Sequence, residues 1–84
     1  PSEWKYVGDG SVILFNKSID FININGKKNL IEFFGEYWHP KEDEKERTNY
    51  FKQFGWDCLI IWQHELKDEA KLVEKVKNFT VSIK

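Results

Sequence analysis

Apolar and aromatic positions cluster first at 4–7 and 11–15, and Gly8-Asp9-Gly10 separates the two runs. Glycine takes a positive φ at little cost, so this cluster predicts a turn and the flanking runs a β-hairpin. Runs at 18–25 and 29–34 meet through Asn25-Gly26, with Lys27 and Lys28 completing the turn. Asn-Gly is the strongest short hairpin signal, which places Asp20 and Glu32 on neighbouring antiparallel strands. Side chains alternate along a strand, so Glu32 and Phe34 share one face and Phe33 points to the other. A register that sets Asp20 opposite this stretch brings both carboxylates to one face.

Beyond Pro40 the pattern changes period. Arg47, Tyr50, Phe51 and Phe54 fall at i, i+3, i+4 and i+7 behind an acidic start at 42–44, and Gly55 follows. That spacing predicts a helix with one buried stripe, its first-turn acids favoured by the helix dipole and its end set by the glycine. The unbroken apolar run 58–62 then predicts a strand covered on both faces, parallel to a neighbour and central in its sheet. Asp68 opens a last helix with Leu72, Val73, Val76 and Phe79 as its apolar stripe and Lys71, Glu74 and Lys77 on the wet side. The order is ββββαβα, an α/β (α+β) domain with a mixed sheet flanked by helices.

With 84 residues the chain forms one domain over 1–84 with a single modest core. It starts at Pro1 and has no Met, which is expected of a piece of a longer protein. Hydrophobic content of 40% and aromatic content of 17% suit a packed core and argue against disorder. The net charge of −1 lacks the basic excess of a domain that holds nucleic acid unaided, so any DNA affinity is local or supplied by other regions. A single cysteine, Cys58, excludes an internal disulfide and a multi-cysteine zinc site, and it reads as a small buried hydrophobe. A reducing, cytoplasmic setting fits. No apolar run approaches the roughly 20 residues that span a bilayer, and no charged-then-apolar signal pattern opens the chain.

An acid in an apolar strand needs a partner, a metal or an exposed edge, and Asp20 lies between Ile19 and Phe21. An exposed strand acid is the ordinary alternative for Asp20 alone; the pair with Glu32 favours a metal. Mg²⁺ takes hard oxygen ligands from one or two carboxylates and fills its shell with water and phosphate, which suits phosphodiester hydrolysis. His39, in the loop after Glu32, is placed to take a proton from water, although alone it reads as a surface loop residue. His64 reads as a loop or capping residue. Glu44 could orient His39, but Glu42, Asp43, Glu44 and Glu46 form a run in which most acids are simply solvated. Tyr37 and Trp38 could stack on or wedge between bases, or belong to the core. Lys27, Lys28, Lys41, Lys45 and Arg47 offer local phosphate contacts or a solvated face.

Three segments carry a family resemblance: Ser18-Ile-Asp20-Phe21, Leu30-Ile-Glu32-Phe-Phe-Gly35-Glu-Tyr-Trp38-His39, and Phe54-Gly55-Trp56-Asp-Cys-Leu-Ile-Ile-Trp62-Gln-His-Glu-Leu66. Together they resemble the very-short-patch-repair (Vsr) endonucleases, over about Asp20 to Phe79. The chain is most similar to Vsr-like catalytic domains of phage intron-encoded homing endonucleases, in the EDxHD branch of the PD-(D/E)xK nucleases. The resemblance implies a restriction-endonuclease-like fold and metal-dependent cleavage of duplex DNA. It makes Asp20 and Glu32 metal ligands with the Phe33 backbone carbonyl, puts Phe34 where the motif has Lys, and makes His39 the base, with Glu44 supporting it. The family's first Glu, on an upstream helix, has no counterpart here. Glu36 and other residues stand where repair members hold a structural zinc, so no zinc is expected.

The expected function is site-specific double-strand cleavage by the catalytic domain of a homing endonuclease, using Mg²⁺ or Mn²⁺. One site cuts one strand, so a homodimer on double-stranded DNA is expected, with DNA contacts from Tyr37, Trp38, Lys27, Lys28 and Lys41. The alternatives are a mismatch-directed nicking endonuclease of DNA repair, kept open by Tyr37-Trp38, and a non-catalytic DNA-binding or dimerisation module.

Overall fold

Asn25-Gly26 lies in the connection 24–28 between two antiparallel strands. Gly26 has φ +87°, and the buried Asn23 accepts the Asn25 N–H at 2.7 Å through its side-chain oxygen, closing a local turn. The computed structural model describes residues 3–82. Its strands are β1 (Trp4–Tyr6), β2 (Ile13–Leu14), β3 (Lys17–Ser18), β4 (Phe21–Asn23), β5 (Asn29–Phe34) and β6 (Asp57–Trp62). Helix α1 (Glu42–Lys52) precedes β6, and a 3₁₀ turn (Gln63–Lys67) leads from β6 into α2 (Glu69–Ser82). The fold is mixed α+β: a four-stranded mixed sheet in the order β1-β4-β5-β6, a separate two-stranded β2-β3 sheet and two helices. No helix among the described residues is long and apolar enough to cross a membrane.

The N-terminal hairpin differs from its expectation. β1 pairs with β4, not with β2, and β2 pairs with β3 across Phe15-Asn16. Both turn residues have positive φ, 50° and 68°, the backbone of a tight hairpin turn whose twist matches its strands. Phe15 is a costly residue there, and its ring stacks on Phe54 at 4.1 Å while its carbonyl accepts the Tyr50 hydroxyl. The expected strand 18–25 is therefore two strands, broken at Ile19 and Asp20. Ile19 drops into the core and the Asp20 carbonyl accepts the Val7 N–H at 2.7 Å.

The run 57–62 is parallel to β5, as its apolar character implied, but it lies at the edge of the sheet. An unbroken apolar run reports that both faces are covered, not that both edges are paired. One face belongs to α1. There Leu30 joins Val7, Ile19 and Phe51 in a closed cluster, and Phe34, Ile60 and Trp62 form a second. The other face lies under α2, where Trp4, Phe21, Ile31, Phe33, Ile61, Leu72 and Val76 surround an apolar cavity of about 150 Å³. Asp68 caps α2 by accepting the Lys71 N–H at 3.1 Å. Within that helix Val73 is exposed, which narrows the expected apolar stripe.

Candidate active site

The hairpin register pairs Phe21 with Ile31 and Ile22 with Leu30. One step further, Asp20 stands opposite Glu32, and directly opposed residues share a face. Asp20 Oδ2 accepts the Phe33 N–H at 2.8 Å, filling the ladder position that β4 vacates. A strand residue turns its N–H and C=O to the same edge, so the Phe33 carbonyl faces the same side.

Glu32 is 4% exposed, and burial pushes its carboxyl above the usual range; Arg47 opposes that shift, the Asp20 charge adds to it and His39 opposes it. Arg47 Nη1 donates to both Glu32 oxygens, at 2.8 and 2.7 Å. The guanidinium comes from the stripe of α1 expected to be buried, five residues after the helix starts at Glu42. An Arg in a buried helix stripe implies a buried anion, and Glu32 is that anion.

Phe34, which stands where a lysine was expected from the resemblance, supplies a platform. The His39 imidazole stacks on its ring with centroids 3.9 Å apart and planes 9° from parallel, and the Arg47 guanidinium lies 5.6 Å from the same ring. His39 Nδ1 is 3.0 Å from Asp43 Oδ2. A carboxylate only accepts, so Nδ1 is the donor, and in the neutral ring that leaves Nε2 as the acceptor. The acid that holds His39 is thus Asp43, not Glu44. Pro40 leads straight into α1, and the i, i+4 spacing turns Asp43 back to His39, whereas Glu44 points one position round the helix and accepts the Trp62 indole N–H at 2.6 Å.

The remaining predicted residues divide by position. Tyr37 and Trp38, 84% and 77% exposed, project from a turn in which the Trp38 and His39 N–H groups donate to the Gly35 carbonyl. That turn is tied down by His64, which lies in the 3₁₀ turn after β6 and whose backbone N–H and Nδ1 both meet Glu36 Oε2. Lys41 is exposed beside His39. Lys27 and Lys28 lie at the opposite end of β5 from His39, because the hairpin turn and the site cap opposite ends of one strand. Lys27 is held there by the Thr80 carbonyl at 3.1 Å. Under the site, burial and then the Glu32 charge push the Cys58 thiol well above its usual range, which disfavours the thiolate.

Among the described residues, no group of three or more His, Cys, Asp or Glu side chains forms a metal cage. Asp20, Glu32 and the Phe33 carbonyl are instead two carboxylates and a carbonyl on one side of a hairpin. Such hard oxygen donors fit Mg²⁺, which keeps much of its shell for water and phosphate. Compared with known proteins, the chain matches no family model, no curated protein and no solved structure.

Proposed function

We propose that this chain is a metal-dependent DNA endonuclease of restriction-endonuclease-like fold, the catalytic domain of a homing endonuclease that makes a site-specific double-strand break. The observation that carries the reading is the placement of Asp20 opposite Glu32, one step beyond the Phe21–Ile31 pair, with a His39 whose Nδ1 is held by Asp43. The segments that resemble Vsr-like nucleases run through the same residues. Asp20, Glu32 and the Phe33 carbonyl would hold Mg²⁺ or Mn²⁺, which supplies charge stabilisation at the scissile phosphate. His39 Nε2 takes a proton from the attacking water, and Asp43 steadies the imidazolium that results. Phe34 fixes the ring plane, a positioning task that a lysine in its place would not perform. Lys41, Tyr37 and Trp38 flank this site as DNA contacts. Two copies on one duplex would supply the two cuts, and a reducing cytoplasm suits the lone Cys58.

A supercoiled plasmid carrying candidate target sites, incubated with Mg²⁺, tests the reading. Linear product that falls about 10²–10⁴-fold in rate for His39→Ala, and vanishes for Asp20→Asn, is expected. Unchanged cleavage by His39→Ala would remove the base assignment. The exposure of Tyr37 and Trp38 favours a second reading, mismatch-directed nicking, which predicts nicked circles only from mismatched substrate. Failure to cut any DNA would leave a binding or dimerisation module.

A further inference from the structure

Arg47 and a metal ion make competing claims on Glu32. Both Glu32 oxygens accept from the one nitrogen Nη1, at 2.8 and 2.7 Å, so a divalent ion bound through either oxygen would sit against a guanidinium. Two cations at that separation in a shielded site repel strongly. The arginine is not sealed in, however. Its side chain keeps 24% of its exposure, against 5% for Glu32, and it lines a cavity of about 380 Å³ between α1 and the β2-β3 hairpin, where Lys17, Asn49 and Gln53 form part of the wall. The guanidinium can turn into that space while its stem remains on α1.

Resting on the metal reading above, we infer that Arg47 is an exchangeable counterion: it neutralises Glu32 until a divalent cation replaces it, and the released guanidinium then takes a phosphate oxygen of the bound strand. The guanidinium suits both partners, because its planar fork matches carboxylate and phosphate alike. Its place beside the Phe34 ring that also carries His39 keeps the freed donors next to the reacting phosphate. The exchange makes DNA affinity depend on the metal. A chain of net charge −1 gains a free cation at the site only once the ion is in place.

Nuclear magnetic resonance on the unaltered chain tests this with two reporters. The Phe33 amide, which donates to Asp20, reads metal at the carboxylates, and the Arg47 guanidinium signals, identified by their loss in Arg47→Lys, read the exchange. Titration with Mg²⁺ is expected to move both, and a short DNA duplex is expected to move the Arg47 signals a second time. A shift at Phe33 with none at Arg47 overturns the exchange and leaves the metal reading standing. No shift at either removes the metal reading and the exchange with it. Arg47→Gln, folded by its melting transition, is expected to bind Mn²⁺ about tenfold more tightly by calorimetry, since a competing charge has gone. Equal or weaker binding overturns the exchange, and if that variant does not fold, the titration of the unaltered chain decides.

Discussion

The two faces of the sheet solve opposite problems. Under α1, polar and charged groups are threaded through the core and nearly all find partners: Glu32 with Arg47, His39 with Asp43, Trp62 with Glu44. Under α2 the surface is almost wholly hydrocarbon, and it packs around an apolar cavity. Alternation along β5 sends Leu30, Glu32 and Phe34 to the first face and Asn29, Ile31 and Phe33 to the second, so adjacent residues serve different ends. The difference teaches where the chain spends its specificity. Charges under α1 select their partners, while the α2 face supplies burial that tolerates looser fitting.

Truncations on adjacent β5 residues measure that contrast most strongly. Leu30→Ala removes a fully buried side chain from the closed cluster and is expected to cost about 4 kcal/mol; Ile31→Ala, beside an existing cavity, about 2 kcal/mol. Equal costs by denaturant unfolding would mean that the two faces are equally well packed. Arg47→Ala comes next, at about 3 kcal/mol near neutral pH, because it strands Glu32 without its partner. The loss has a defined pH dependence. Without Arg47 the folded carboxyl rises further above the ordinary Glu value of 4.5, so between those values the folded state holds a proton that the unfolded chain has released. Stability then falls as pH rises through that window. Melting curves near pH 4 should therefore show a smaller deficit than those at neutral pH, and a deficit independent of pH would refute the coupling. The smallest effect belongs to the α2 face. Asn29 is fully buried, and neither its side-chain nitrogen nor its oxygen meets a partner, so Asn29→Leu is expected to raise stability by about 1 kcal/mol in a thermal melt.

Part of the candidate site is legible in the sequence because Asn25-Gly26 announces a hairpin, which makes the segments carrying Asp20 and Glu32 antiparallel neighbours. The register is not legible: a two-residue turn there would set Asp20 opposite Ile31, and it is the longer connection 24–28 that sets Phe21 against Ile31 and so Asp20 against Glu32. His39 follows by its nearness to Glu32 along the chain. What escaped reading depended on helix phase: Asp43 and Glu44 are equivalent in a run of acids until α1 is placed, and only the first faces His39. Arg47 occupied a stripe position and so read as packing or as a surface phosphate contact, although a cation there demanded a buried anion. Three turn-forming residues at 8–10 outweigh Phe15-Asn16, whose left-handed backbone is announced only by the asparagine, so the sequence pattern points to the wrong partner for the first strand. The edge position of β6 left no trace, since sequence patterns record covered faces and not strand order.

The order of contributions along β4, β5 and the start of α1 has a consequence for chain connectivity. Asp20, Glu32, Phe34, His39, Asp43 and Arg47 follow one another within one stretch of chain, from Asp20 to Arg47. The candidate site is therefore one covalent cassette. New ends cut into the chain at Gly10 or Gly55 would leave its wiring whole, whereas an insertion after Gly35 would divide the two carboxylates from His39.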